Sequence, residues 1–306
     1  MNAHPTTLPT LLAGAATRRK IRINSAYLFI TPSMLIIAIF VLYPILQALW
    51  MSFHSWSFLD PERTFIGLKN YFQLFQDDRF WNSLRVSAIY TFVTVPTQIV
   101  LSILVALALH EKLRGVKLLR SIYFFPVISS FAVMAIVWSF LLDPDMGLVS
   151  HWLIQLGLPS IDWLHSTTWA LPAVMFTGIW KNLGFSMVIL LAGLEGIPEI
   201  YYEAASIDGA GKWSRFWNIT IPGMRQGLLF VTVTSFISSL QAFDQIYVMT
   251  QGGPLFQTET IVTYMYHEGF QLYQMGYASA IAWVLFIIVM IWSVIQMKFF
   301  RYQDVD

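Results

Sequence analysis

VSAIYTFVTVPTQIVLSILVALALH, residues Val86 to His110, carries no aspartate, glutamate, lysine or arginine in 25 consecutive positions. A helix crossing the roughly 30 Å hydrocarbon layer of a bilayer needs about 20 apolar residues, so this stretch reads as a membrane span. Its composition is not local. The 306-residue chain is 57% hydrophobic, 16% aromatic and only 11% charged, with a mean hydropathy of +0.61. Soluble domains carry about a quarter charged residues, so a chain with less than half that share lacks the polar surface to cover itself in water. Its 18 basic and 17 acidic residues leave a net charge of +1, without the basic field that nucleic-acid binding requires. No nucleic-acid partner is expected. With no cysteine in the chain, disulfides, thiol nucleophiles and cysteine metal sites are excluded together.

Outward from that stretch, further uncharged runs cover Ile23 to Leu59, Ser121 to Leu142, Trp163 to Trp180 continued by Asn182 to Leu194, Gln226 to Phe243, and Gln271 to Met297. They predict an all-α integral membrane fold with six transmembrane helices near 26–50, 86–109, 122–142, 169–192, 228–248 and 277–297. The helical domain then runs over 26–300, with tails at 1–25 and 301–306. Prolines at 32, 44, 96, 126 and 172 fall in or near these spans, where neighbouring helices can satisfy the freed backbone groups. Basic residues set the orientation, because short cytoplasmic loops retain lysine and arginine. Arg18, Arg19, Lys20 and Arg22; Lys112, Arg114, Lys117 and Arg120; Lys212, Arg215 and Arg225; and Lys298 and Arg301 all fall on one side, against Arg63, Lys69 and Arg79 on the other. Both termini are therefore expected in the cytoplasm. The first 20 residues place a polar, proline-containing stretch before the basic cluster, the reverse of a secretory signal, and read as a cytoplasmic tail. No internal period and no inverted halves of the kind seen in many secondary transporters are visible.

One loop is too long for a turn and too short for a domain: GIPEIYYEAASIDGAGKWSRFWNITIP, Gly196 to Pro222. It reads as two short helices. Pro198 suits a first helical turn, Glu199 and Glu203 favour the positive N-terminal end, and Gly209 and Gly211 supply the stop. A second helix is expected from about Lys212 to Ile219, ending before Pro222. Ala204, Ala205 and Ser206 beside Glu203 would let another protein's surface approach the backbone closely. On helix physics alone, an interfacial helix lying on lipid headgroups is an equal reading.

Glu203-Ala204-Ala205, then Gly209, then Ile219-x-Ile221-Pro222 resembles the EAA loop of bacterial ABC-importer permeases. The spacing matches at every position, with Ile221 where that pattern favours leucine. The longer run EAASIDGAGKWSRFWNITIP is most similar to the carbohydrate-uptake branch of that family. Tyr43-Pro44, Gly67-Leu68-Lys69-Asn70-Tyr71, Asp244-Gln245-Ile246-Tyr247, Thr250-Gln251-Gly252-Gly253-Pro254 and Gly276-Tyr277-Ala278-Ser279-Ala280 resemble the MalF-like member of a permease pair. The resemblance implies the type I ABC-importer permease fold in a bacterial inner membrane. It also implies a second, MalG-like permease, two cytoplasmic ATPase subunits that hold ATP and Mg, an extracytoplasmic solute-binding protein, and a carbohydrate or related polar solute. Glu203, Ala204, Ala205 and Gly209 would then be the residues that dock on the ATPase. No cofactor is expected on this chain itself. A phosphate-cradling loop needs GxxxxGK[ST], and around Gly211-Lys212-Trp213 the first glycine is replaced by Ser206 and the final Ser or Thr by tryptophan. His267-Glu268 begins like a zinc-protease motif, but position 271 is Gln, so no metal and no catalytic residue is assigned.

Polar groups inside spans mark a solute path, because each is costly unless it faces a cavity or partner. Lys181, Asn182 and Gly184 interrupt the fourth span, and Ser235, Ser239, Gln241 and Asp244 follow in the fifth. In the resembling maltose permease the sugar is held by residues of these same two spans, which implies Lys181, Gly184, Ser235 and Ser239 as the corresponding positions here; Asn182, Gln241 and Asp244 join the expected substrate path as polar groups of those spans. The serines also suit helix packing through small polar side chains, and Lys181 also suits pairing with Asp244 or snorkelling to an interface. A buried Lys181 would fit an anionic solute such as a glycerophosphodiester. Two other classes remain at this point. A stand-alone ion-coupled transporter predicts carboxylates at mid-membrane, whereas Asp244 lies near a span end and the rest fall in loops. An intramembrane enzyme predicts a nucleophile and base within the spans, whereas His110, His151, His165 and His267 lie at edges or in loops.

Overall fold

A computed structural model describes residues 25–60, 62–111 and 115–302. The expected N-terminal tail with its basic cluster, and Lys112 and Arg114, lie outside the described residues, as do positions 303–306 of the expected C-terminal tail. The chain divides into two units, one through Gln47 and one from Ala48 onward.

The first unit is built from helix α1 (Ser25–Ile37), a π-helical turn over Ala38–Leu42, and the beginning of α2 (Tyr43–Ser52). The wide turn has a local cause. Pro44 brings no N–H for the carbonyl four residues back, and the Tyr43 N–H bonds instead to the Ala38 carbonyl, five residues back.

The second unit holds the remaining helices. A two-residue hairpin, β1 (His54–Ser55) with β2 (Thr64–Phe65), is followed by α3 (Lys69–Phe75) and α4 (Asp78–His110). Next come α5 (Val116–Ile128), α6 (Phe131–Leu141), α7 (Leu148–Gln155) and α8 (Ala170–Glu195). The EAA loop supplies α9 (Glu199–Ile207), α10 (Lys212–Arg215) and α11 (Ile221–Gly223), with a π turn over Phe216–Thr220 between the last two. Finally α12 (Arg225–Leu240), α13 (Asp244–Met249) and α14 (Ile261–Tyr266) lead through a π turn to α15 (Met275–Tyr302).

Among the described residues four helical stretches are long and apolar enough to cross a bilayer: Phe29–Ser52, Asp78–His110, Ala170–Glu195 and Met275–Lys298. They correspond to the first, second, fourth and sixth expected spans. The third differs. Its two halves, α5 and α6, meet at a bend of 103°, because Ser129 and Ser130 are both extended and the Ser130 side chain caps α6 by accepting from the Val133 N–H. The fifth also differs. Helix α12 stops at Leu240 rather than continuing to 248 and restarts as α13 at Asp244; its 16 residues rise only about 24 Å at 1.5 Å each.

What holds the bundle is polar as well as apolar. Ser83, Ser87, Thr91, Thr94, Gln98 and Ser102, spaced three or four apart along α4, are all buried. In a bilayer the lipid is as apolar as leucine, so close approach and hydrogen bonds between helices replace the hydrophobic drive. Gln98 accordingly donates to Ser186 at 2.7 Å and to Ser235 at 3.2 Å, and Thr94 meets Ser239 at 3.2 Å. Where α5 crosses α8 the contact is backbone on backbone. A Cβ at Gly184 would collide with the Tyr123 carbonyl and approach the Phe124 Cα to 3.1 Å.

Side-chain bonds define two ends of this unit. At one, Arg120 donates to the Leu109 carbonyl and pairs with Glu195 at 2.9 Å, joining the ends of α4 and α8 beside the EAA loop. At the other, Arg79 and Asp77 at the start of α4 tie down the 250–264 loop and the start of α15.

Candidate functional site: a polar pocket at two helix breaks and an exposed loop

The bend between α5 and α6 and the break after α12 come together. Phe131, the first residue of α6, and Gln241, Phe243 and Asp244 from the second break line one cavity of about 340 Å³. Non-helical backbone at membrane depth is tolerated where it borders a cavity rather than lipid, which gives a physical reason for both interruptions. Asn182, Ser238 and Ser239 complete the polar wall. Tyr90 and Gln245 also line it, with the Gln245 amide donating to the Tyr90 hydroxyl at 3.0 Å.

Of the seven expected path residues, Asn182, Ser239, Gln241 and Asp244 line this cavity. Lys181 is buried beside it, its Nζ 4.4 Å from the centre of the Phe131 ring, and Asp244 is the opposite charge acting on it. Ser235 accepts from Gln98, and Gly184 faces the α5 backbone, so neither is part of the wall. Tyr90, Phe131, Phe243 and Gln245 are additions. Their signal was the polar stripe of α4 and the serine pair before Phe131, both readable only once the helices are paired.

The EAA loop is built differently from its expected form in two details. Pro198 is the residue before α9 rather than within it, with extended backbone. The second helical run continues past Pro222 to Gly223, again through a π turn, in which the Ile221 N–H bonds to the Phe216 carbonyl and so bypasses the missing proline donor. Gly209 has φ of +76° with no atom near its would-be Cβ, so the left-handed turn alone requires glycine there. Helix α9 buries no residue. Ala204 and Ala205 line an open groove of about 570 Å³, shared with Tyr201, Asp208, Asn218 and Ile219, while Glu203 stands exposed. The two halves of the loop are tied by Tyr202 to Thr220 at 3.0 Å and by Arg215 donating to Ser206 at 2.9 Å.

A third assembly, absent from the sequence reading, caps the opposite end. Arg79 donates to both carboxylate oxygens of Glu259, at 2.8 and 2.7 Å, and lies over the Phe256 and Tyr264 rings. Asp77 accepts from the Tyr264 and Tyr277 hydroxyls. Burial opposes ionisation of Asp77, but those hydroxyls and the N–H groups of Arg79 and Phe80 outweigh it and hold its carboxyl below the ordinary range. Burial, followed by the bond to Asp77, pushes the Tyr264 hydroxyl up, and burial pushes the neighbouring Glu268 carboxyl up. Among the described residues no three His, Cys, Asp or Glu side chains group closely enough to hold a metal ion.

The family described as binding-protein-dependent transport system inner membrane component matches residues 78–302. The chain belongs to this family. It is therefore the inner-membrane permease subunit of an ABC transporter. Among its relatives, the trehalose/maltose transport system permease protein MalF of Thermococcus litoralis is 33% identical over 277 residues, 90% of this chain and 94% of the relative. The sn-glycerol-3-phosphate transport system permease protein UgpA of Yersinia pestis is 33% identical over 287 residues, covering 90% and 95%. Among solved structures, a bacterial ABC transporter involved in the import of the acidic polysaccharide alginate superposes with a TM-score of 0.80 at 23% identity, over 91% of this chain and 95% of that one. The likeness shows the ABC-importer permease fold, and the family membership expected from the EAA loop is borne out.

Proposed function

We propose that this permease forms one half of the translocation path of an importer for a carbohydrate or related polar solute. It pairs with a second, MalG-like permease, receives solute from an extracytoplasmic binding protein, and is driven by two cytoplasmic ATPases that hold the ATP and Mg. The chain crosses the membrane six times in this reading, with both termini in the cytoplasm, and hydrolyses nothing itself. The observation that carries the coupling role is the exposed α9, whose Ala204 and Ala205 border an open groove and whose exit is set by the left-handed Gly209. Glu203 offers its carboxylate to a basic or polar group of the ATPase cleft. The polar cavity at the two helix breaks supports a solute path through Asn182, Ser239, Gln241 and Asp244, with Lys181 behind it as the charge that would favour an anionic solute.

The test is ATPase activity of the reconstituted complex with its binding protein against maltose, trehalose, sn-glycerol-3-phosphate and a glycerophosphodiester. Wild type is compared with a Glu203→Lys, Gly209→Pro double variant. Proline cannot adopt the positive φ of Gly209, and the added lysine reverses the docking charge. Solute stimulation is expected to vanish while the four-part complex still assembles. Undiminished stimulation would remove the coupling role. Lys181→Gln is expected to weaken response to the anionic solutes selectively, and an equal response to all would remove the anionic reading.

A further inference from the structure

The second half of the EAA loop has a surface that coupling does not use. Lys212 to Gly223 is one helical run through α10, the π turn and α11. Its inner face is tied to the neighbouring loop: Thr220 is buried against Tyr202, Arg215 reaches Ser206, and a Cβ at Gly223 would press into the Ile197 side chain. Its outer face carries Trp213 and Trp217, one turn apart and 73% and 51% exposed. Their rings lie 5.7 Å apart edge to face, and Phe216 joins them at 5.9 and 5.2 Å. Lys212 stands exposed in the same first turn.

The run ends at Gly223, two positions before the apolar α12 begins at Arg225, so it lies at the boundary of the bundle's apolar zone. Tryptophan favours that depth because a large apolar ring and a single N–H match the transition from acyl chain to headgroup. Lysine and arginine there meet lipid phosphates. Helix α9 differs in charge: Glu199 and Glu203 stand exposed with Asp208 just past its end, beside the exposed side chains of Ile200, Tyr201 and Ile207, so its carboxylates are repelled by anionic headgroups while its apolar side chains and small alanines suit a protein cleft.

We propose that Trp213 and Trp217 seat the Lys212–Gly223 run in the headgroup layer of the adjoining leaflet, with the exposed Lys212 placing positive charge beside anionic lipid phosphates. The loop then has a lipid-facing half and an ATPase-facing half, and the ATPase pushes against a helix whose base is held by the bilayer. The proposal rests on the reading that the chain enters the membrane on both sides of this loop.

The absence of cysteine makes the experiment direct. Trp213→Cys and Trp217→Cys are each labelled with a nitroxide in the complex assembled with cysteine-free partners, in nanodiscs containing phosphatidylglycerol. Relaxation by oxygen, which partitions into the bilayer, is compared with relaxation by a water-soluble nickel chelate. Both positions are expected to show an oxygen-to-nickel ratio several-fold above that of a Glu199→Cys label on α9. A nickel-accessible label would overturn the anchor in favour of water, and a label shielded from both probes would overturn it in favour of protein contact. A Val100→Cys label on the exposed face of α4 separates the two readings. Lipid at 100 with water at 213 and 217 removes only the anchor, whereas water at 100 removes the span on which it rests.

Discussion

Replacing Arg79 by methionine should destabilise this protein more than replacing its partner Glu259 by glutamine, although both changes remove the same ion pair. The Glu259 side chain is 2% exposed and that of Arg79 is 24% exposed. Arg79→Met therefore leaves a carboxylate buried without its bidentate donor, a situation that costs about 3–5 kcal/mol. Glu259→Gln leaves a guanidinium that reaches solvent and still lies over Phe256 and Tyr264. Its cost is nearer the roughly 1.5–3 kcal/mol of a hydrogen bond to a charged group. The double variant buries no unpaired charge, so it should recover part of the Arg79→Met loss, with a coupling energy of about 1–3 kcal/mol. Equilibrium unfolding of the four proteins in mixed detergent gives the cycle, and limited proteolysis within 250–260 reports whether the loop held by Glu259 is released locally. Strictly additive losses, or a smaller loss for Arg79→Met than for Glu259→Gln, would refute the argument that burial of the carboxylate sets the balance.

Gly184→Ala should cost about 1–3 kcal/mol of stability by overpacking, because its Cβ meets the backbone of Tyr123 and Phe124, whereas Gly211→Ala meets nothing within 4 Å and should be nearly silent; equal losses would refute the close helix crossing. Asp77 carries a pH signature. Its folded carboxyl lies below the ordinary value of 3.8, so its contribution is full above that value and disappears as pH falls through the lower folded value. The stability gap between wild type and Asp77→Asn should therefore be widest near neutrality and close below about pH 3.8; a gap independent of pH would show that the two tyrosine bonds do not favour the charged form.

The long spans were legible because the signal is one of composition: twenty or more residues without charge admit few alternatives, and α4, α8 and α15 follow the stretches that predicted them. The Gly209 stop was legible because only glycine takes that backbone angle at no steric cost. The breaks after Ile128 and Leu240 were not. Both lie in uncharged runs, and hydropathy cannot distinguish a helix from a chain that leaves and re-enters helical geometry around a cavity. Gly184 was read as part of the solute path, since one strand of sequence does not show which helix will cross it.

By itself, the sequence determined that the chain is a membrane protein, where most spans lie and, through the EAA spacing, its family. Each of these depends on the chemistry of consecutive residues or on fixed short spacing. Tertiary structure decided which of the polar span residues face a cavity and which bind neighbouring helices. Asn182 and Ser239 line the pocket, whereas Ser235 bonds Gln98 and Gly184 packs on Tyr123. It also brought Arg79 to Glu259 across 180 positions. In a bundle whose helices are apolar on nearly every side, the facing partner rather than the local pattern assigns each polar group its role.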